Sequence, residues 1–383
     1  MNELVAGIAG LGTAASSGYC ALCIWASVRF ASRRGRTSRE ATEFPPVSIL
    51  KPLKGTDPEM YESLRSHCLQ NYPQYEILLG VSDPSDPALA FAERLRREFP
   101  EHAIRLVRCE QKLGTNGKVS SLVQMAAVAK HQVFLVNDSD IRVGPGYLHT
   151  VMAELQKPNT GLVTCLYRGV PAGTIPSRLE SLGINTDFMA GVLVAQLLEG
   201  GLRFGLGSTL ALRRCDLQTI GGFEAMVDYL ADDYELGQRL AERNFNIELS
   251  QAIVETFLPD YGFAGFFSHQ LRWAKTIRAS RPAGYAGLLL TFTLPWAVLC
   301  LALARGAAWA WELFGVALLM RMMMALVSGK LVLRDEEVVR SLWLLPVRDA
   351  LATFIWMAGW AGRKIVWRGE IFSLEKRKLK RTG

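Results

Sequence analysis

Val133-Phe134-Leu135-Val136-Asn137-Asp138-Ser139-Asp140 is the stretch that decides the fold. Four consecutive apolar residues read as a strand buried on both faces, the kind found inside an α/β sheet. Its C-terminal end carries two carboxylates, and open α/β sheets gather their ligands at that edge. Acids spaced i, i+2 on an extended segment project to the same side, so Asp138 and Asp140 can face one cation. A hard divalent ion held by so few protein carboxylates completes its shell with water and phosphate. The triplet therefore points to a nucleoside-diphosphate site. Alone, such a short motif is more often a solvated turn, so its weight depends on the rest of the chain.

The flanking sequence supports a sheet. Val47–Leu50, Tyr75–Val81 and Ile104–Val107 read as further strands, and helical segments Tyr61–Cys68, Ala88–Glu98 and Val119–Ala129 alternate with them. Strand–helix alternation of this kind builds parallel βαβ units in a doubly wound sheet. Neither internal repeats nor low-complexity segments interrupt residues 31–282, which read as one cytoplasmic α/β domain.

Both ends are apolar. Half of the 383 residues are hydrophobic, and residues 4–28 carry no charge before Arg29, Arg33, Arg34 and Arg36. That length spans a bilayer, and the arginines mark its cytoplasmic side. Residues 1–30 are thus expected to form a transmembrane helix; Met1-Asn2-Glu3 lacks the basic start of a signal peptide. Residues 283–362 form a second membrane region, with candidate helices at Ala283–Ala304, Gly306–Gly329 and Ser341–Gly362. Three spans there would place the C-terminus outside, so one of the last two is expected not to cross. Leu179–Leu198, largely apolar with Glu180 and Asp187, reads as an interfacial helix, with a core or re-entrant helix as alternatives.

Charge follows the membrane segments. Residues 363–383 contain eight Lys/Arg and two Glu, nearly the whole of the chain's net +7. A juxtamembrane basic tail drawn to anionic lipid explains this better than nucleic-acid binding. Seven scattered cysteines give no disulfide framework, and Cys20-Ala21-Leu22-Cys23 inside the first apolar segment reads as packing.

Other polar residues complete the candidate site. Asp83 ends the second strand at the same sheet edge and can accept from a nucleobase N–H or a ribose hydroxyl, or simply cap a turn before Pro84. Gly114-Thr115-Asn116-Gly117-Lys118 precedes a helix but fails the spacing of a phosphate loop; Lys118 and the helix N-terminus can still favour a diphosphate. Gly205-Leu206-Gly207-Ser208-Thr209 permits close backbone approach to a ligand, or is a plain turn. Asp232-Asp233 open a helix, either as dipole partners or as a base that takes a hydroxyl proton. Arg272-Trp273 can clamp a diphosphate and stack on a ring, or serve as interfacial anchors.

In this order, these motifs resemble membrane glycosyltransferases of the GT-A, family 2-like kind, over about residues 45–285. The nearest resemblance is to the ceramide glucosyltransferase family (family 21) and its bacterial hopanoid-modifying branch. Ile49-Leu50-Lys51-Pro52-Leu53-Lys54-Gly55 is similar to the family's first strand and loop. The family's three acidic positions match Asp83, Asp138 and Asp233, and its (Q/R)xxRW motif matches His269-Gln270-Leu271-Arg272-Trp273, with His in place of Gln or Arg. Gly161–Gly169 and Arg272–Arg278 look more like the hopanoid branch, and the full Asp-x-Asp differs from the animal members.

The resemblance implies an inverting transferase that moves glucose or N-acetylglucosamine from a UDP-sugar donor to a lipid hydroxyl, on a hopanoid or a ceramide. It implies Asp83, Lys118, Asp138, Arg272 and Trp273 as donor-binding residues, Mg2+ or Mn2+ on Asp138 and Asp140, and Asp233 as base. The setting implied is the cytoplasmic face of a bacterial inner membrane. A processive polysaccharide synthase shares the acidic motifs but resembles a pore with more spans, and a non-catalytic nucleotide-sugar binder would not need all three acidic sites.

Overall fold

The computed structural model describes residues 2–33, 44–367, 370–375 and 377–381. Arg34 and Arg36, part of the basic cluster behind the orientation argument, lie outside these residues. The chain divides into two compact units: residues 33–170, 198–259 and 377–383 form an α/β unit, and residues 1–32, 171–197 and 260–376 an apolar helical unit. The expected single block 31–282 is therefore interrupted by 171–197 and ends at 259, because the intervening helices pack with apolar partners.

The α/β unit is built on β1 (Val47–Leu53), β2 (Tyr75–Val81), β3 (Ile104–Arg108), β4 (Val133–Val136), β5 (Ile141–Arg142), β6 (Thr160–Val170), β7 (Leu210–Arg213) and β8 (Asn246–Phe257). They form one sheet in the order β3-β2-β1-β4-β7-β6-β8-β5. The first four are parallel, as the strand–helix alternation requires. β7 runs antiparallel to β4 and β6, so the sheet is mixed. Side chains alternate along β1: Val47, Ile49 and Leu53 join a core with Leu64, Leu95 and Leu135 from the helices and strands around them. Leu50 is equally buried on the opposite face. Each such fully buried aliphatic side chain contributes roughly 1.5–3 kcal/mol.

The helical unit begins with Asn2–Ser32, one continuous helix of 31 residues, as expected. Among the described residues, Glu3–Ser32, Ile175–Leu198 and Ala308–Val332 are long and apolar enough to cross a membrane. Ile175–Leu198 contains the expected interfacial segment; Gly183 and Gly191 do not break it, and its middle turn, Gly183–Phe188, is π-helical. Most of this helix is buried within the protein, with Leu179 and Leu182 packed against Phe266 and Leu345.

Two expectations need correction. Ala283–Ala304 is not one straight helix: Pro282–Thr291 and Thr293–Leu303 meet at a 53° bend. Pro295 has no N–H to give to the carbonyl of Thr291, and its ring clashes there. Ser341–Gly362, one of the two segments of which one is expected not to cross, yields a 15-residue helix, Leu345–Gly359, about 22 Å long and short of the hydrocarbon thickness. Nor is the tail merely a basic lipid-binding extension. Lys364–Trp367 (β9) pairs with Glu370–Glu375 (β10), and Lys378–Arg381 (β11) belongs to the α/β unit.

Candidate active site

The acidic triplet emerges where β4 stops. Val136 is opposite Leu50 on one side and Leu210 on the other. Asn137 then turns the chain: its buried carboxamide donates to the Ser208 carbonyl at 2.6 Å and to Tyr147 Oη at 3.0 Å. Asp138 follows with 43% of its side chain exposed. β5 begins directly after Asp140, and Ile141 is opposite Thr256 of β8. That register brings the Thr256 hydroxyl to Asp140, where it donates to Oδ2.

Three further elements converge on Asp138. Asn116 caps the helix Gly117–Val128, accepting from Val119 N at 3.2 Å while donating to the Tyr229 carbonyl at 2.7 Å. In the first turn of that helix, Lys118 Nζ lies 2.7 Å from Asp138 Oδ1 and 3.2 Å from Asp232 Oδ2. Asp232 and Asp233 open the helix Asp232–Glu242. Asp233 accepts from the amides of Gly207 and Tyr234, both at 2.8 Å. The glycines of the 205–207 loop therefore do serve a close approach. A Cβ on Gly207 would stand 3.0 Å from Asp138 Oδ2 and 3.2 Å from Asp233 Oδ2. Gly237, on the next turn, allows its helix to lie directly on the backbone of Gly205.

Electrostatics follow from this crowding. Burial, then the neighbouring Asp232, raises the Asp233 carboxyl above the ordinary range, with Lys118 opposing. Burial and then Asp138 push Asp140 up to about 6. Burial alone would lower Lys118, but Asp138, Asp232 and Asp233 together raise it and hold it protonated. Below them, Lys51 is fully buried, 3.4 Å from His67 Nε2 and 3.5 Å from the Ile141 carbonyl. Burial lowers it to about 7, against the pull of Asp140 and Asp138.

Carboxylates thus outnumber the lysine that touches them. Among the described residues, no group of three or more His, Cys, Asp or Glu side chains is arranged to hold a metal by itself. The oxygen donors of Asp138 and Asp140 instead fit a hard divalent cation that takes its remaining ligands from water and a diphosphate. Asp138 Oδ1 meets Lys118, while Oδ2 takes no hydrogen bond from the described residues.

The structure brings Lys118, Asp138 and Asp233 together, with Asp140 coupled to Asp138. Asp83 lies after β2 as expected, exposed, but among the described residues its carboxylate bonds only to the hydroxyl and amide of Ser85, at 2.7 and 2.8 Å. These bonds hold it below the ordinary range. Arg272 and Trp273 lie on the helix Phe263–Ser280 of the apolar unit. There Trp273 packs beside Phe188 and His269, ring centroids 5.9 and 5.4 Å away. His269 Nδ1 is 2.7 Å from Glu180 Oε1, so the residue that departs from the motif has a buried acidic partner.

Sequence reasoning missed Thr256 and the burial of Lys51 beneath the acids, and singled out Asp233 through the resemblance without seeing Asp232 as the partner of Lys118. A lysine inside the apolar run Ile49–Leu53 was a usable signal. Thr256 gave none, since only the β5–β8 register selects it.

A mixed sheet of this order, with acids at the C-terminal edge of β4 and at the head of the Asp232–Glu242 helix, is the GT-A arrangement, and with the family match it makes this chain a sugar-nucleotide-dependent glycosyltransferase. A mannosyltransferase from Pyrobaculum calidifontis, solved with GDP-Man and Mn2+, shares the fold: TM-score 0.56, 18% identity, covering 93% of this chain and 99% of that one. The chain belongs to glycosyl transferase family 21, which it matches over residues 9–379. Among its relatives, ceramide glucosyltransferase 3 of Caenorhabditis elegans is 23% identical, covering 88% of this chain and 74% of the relative. Ceramide glucosyltransferase of Komagataella phaffii is 33% identical over 120 residues, 29% of this chain and 24% of that protein. The resemblance read from the motifs is thus borne out at the level of the family.

Proposed function

We propose that this enzyme transfers glucose or N-acetylglucosamine from a UDP-sugar to the hydroxyl of a membrane lipid, inverting the anomeric centre. The observation that carries the reading is the joint placement of Asp233, Lys118 and Asp138. The Asp233 carboxylate and the lysine-bound Asp138 lie a few ångströms apart at one sheet edge.

The acceptor oxygen forms the new bond to the anomeric carbon as the carbon–oxygen bond to the diphosphate breaks. The hydroxyl proton passes to Asp233, and UDP leaves with the bonding electrons. Gly207 and Tyr234 amides fix both Asp233 oxygens, while burial beside Asp232 makes its carboxylate a better proton acceptor than a solvated one. Lys118 supplies positive charge beside the leaving group. Asp83 would hold the nucleoside, and Arg272 and Trp273 would grip the diphosphate and cover the site. Asp138 and Asp140 would hold Mg2+ or Mn2+, which when bound offsets the charge of the departing diphosphate.

For the acceptor, the motifs Gly161–Gly169 and Arg272–Arg278 favour a hopanoid, whereas the named ceramide glucosyltransferase relatives favour ceramide. The apolar helices support membrane association; the arginines after the first of them support a cytoplasmic site at a bacterial inner membrane. The test is incubation of the purified protein in lipid with each UDP-sugar, followed by mass spectrometry. One hexose added to one lipid supports the reading. Long polymer would favour a synthase, and donor binding without transfer would leave only a binder.

A further inference from the structure

We propose that the C-terminal strand is part of the catalytic apparatus and that Arg377 is a positioning residue for Asp233. The chain passes through 117 residues of the apolar unit, 260–376, before its last residues return to the α/β unit. They do not land at random. Lys378 bridges to Tyr229, and the Leu379 amide donates to the Asp228 carbonyl at 2.7 Å. The Leu379 carbonyl accepts from Thr115 Oγ1 at 3.2 Å, and the Leu379 side chain is buried. Thr115 also donates to Asp228 through its amide and hydroxyl, both at 3.0 Å. The strand therefore ties the loop that leads into Lys118 to the segment that leads into Asp232 and Asp233.

Arg377 adds a second grip. Its Nη1 donates to Gln238 Oε1 at 2.7 Å and lies 2.9 Å from Glu235 Oε1. Glu235 and Gln238 are spaced i, i+3 on the Asp232–Glu242 helix, so one guanidinium spans adjacent turns. Asp232 is likewise three residues before Glu235, on the face held by Lys118. Lys118 on Asp232 and Arg377 on Glu235 and Gln238 thus both hold this helix, whose rotation aims the Asp233 carboxylate at the Gly207 amide. Arg377 itself adopts the left-handed φ of +71°, a strained backbone state for a non-glycine residue that surrounding contacts must maintain. A plain lipid-binding tail requires none of these contacts.

The inference rests on the glycosyl-transfer reading, and its test separates the two. Arg377→Ala, Arg377→Lys and wild type are compared in lipid for kcat, donor KM, UDP binding, thermal unfolding and amide hydrogen exchange. Expected for Arg377→Ala is a roughly tenfold or greater loss of kcat, since small misplacements of a reacting group are costly. Donor KM and unfolding temperature should stay near wild type, exchange should quicken at 228–236 and 114–119, and Arg377→Lys should recover most of kcat. Wild-type kcat in Arg377→Ala overturns the proposal. So does a loss confined to unfolding temperature and UDP binding, which would make Arg377 a structural strut only. If wild type itself transfers no sugar, the functional reading fails, and exchange unchanged at those two segments would independently overturn the brace.

Discussion

Two charge clusters in this molecule are built on opposite principles. In the apolar unit, Arg321 donates to both oxygens of Asp349, at 2.9 and 3.2 Å, and to Asp187 at 2.7 Å. Arg348 lies 3.8 Å from Asp187 and rests on Gly183, where a Cβ would overlap the guanidinium. Two cations meet two carboxylates, and Arg321 is 3% exposed. In the α/β unit, one lysine contacts Asp138 and Asp232 beside Asp233, and Asp138 faces outward. The first cluster is charge-balanced, with Arg321 and Asp349 buried, so it joins helices. The second is left acidic and partly exposed, as the proposed cation and donor require.

The largest break in this comparison should come from Asp233→Asn, with a roughly hundred- to ten-thousand-fold loss of kcat and little change in UDP affinity by calorimetry. Turnover near wild type would remove Asp233 as the base. In the balanced cluster, Arg321→Ala should act on stability instead, by about 3–5 kcal/mol in denaturation, because it strands buried carboxylates. The folded fraction should keep near-normal kcat; a large kcat loss without destabilisation would dissolve the contrast.

Gly207→Ala is expected to lower kcat roughly tenfold, since its Cβ presses on Asp138 and Asp233 and a small displacement of either is costly. The pH profile gives a subtler test. A base must be ionised to accept a proton, and Asp233 is held above the ordinary range. The rate should therefore fall with acidification at a higher pH than a solvated carboxylate gives. The smallest effect expected is His269→Gln, within about threefold in kcat, because a Gln carboxamide N–H can still donate to the buried Glu180.

Much of the sheet and its acidic edge was legible because local pattern carries it. The run Val133–Val136 must be buried, and Asp138 and Asp140 must follow it. Asp233 was legible as one of two acids at a helix start, but the split between Asp232 on Lys118 and Asp233 on Gly207 needed tertiary geometry. β6 and β8 were not legible, since their partners are distant in sequence and their pairing shifts register at Thr160/Leu162 and Cys165/Leu166. The tail misled because its composition is that of a membrane-surface segment, whereas Arg377 and Leu379 are selected by partners some 140 and 150 residues earlier.

The contrast between a balanced cluster and an acidic one is tested most directly by UDP binding with and without a divalent cation. Calorimetry on the wild type and Asp138→Ala, in Mn2+, Mg2+ or chelator, measures it. Binding should be at least about tenfold tighter with the cation in the wild type, and Asp138→Ala should erase that gain. Equal affinity in chelator and cation would contradict an acidic site that needs one.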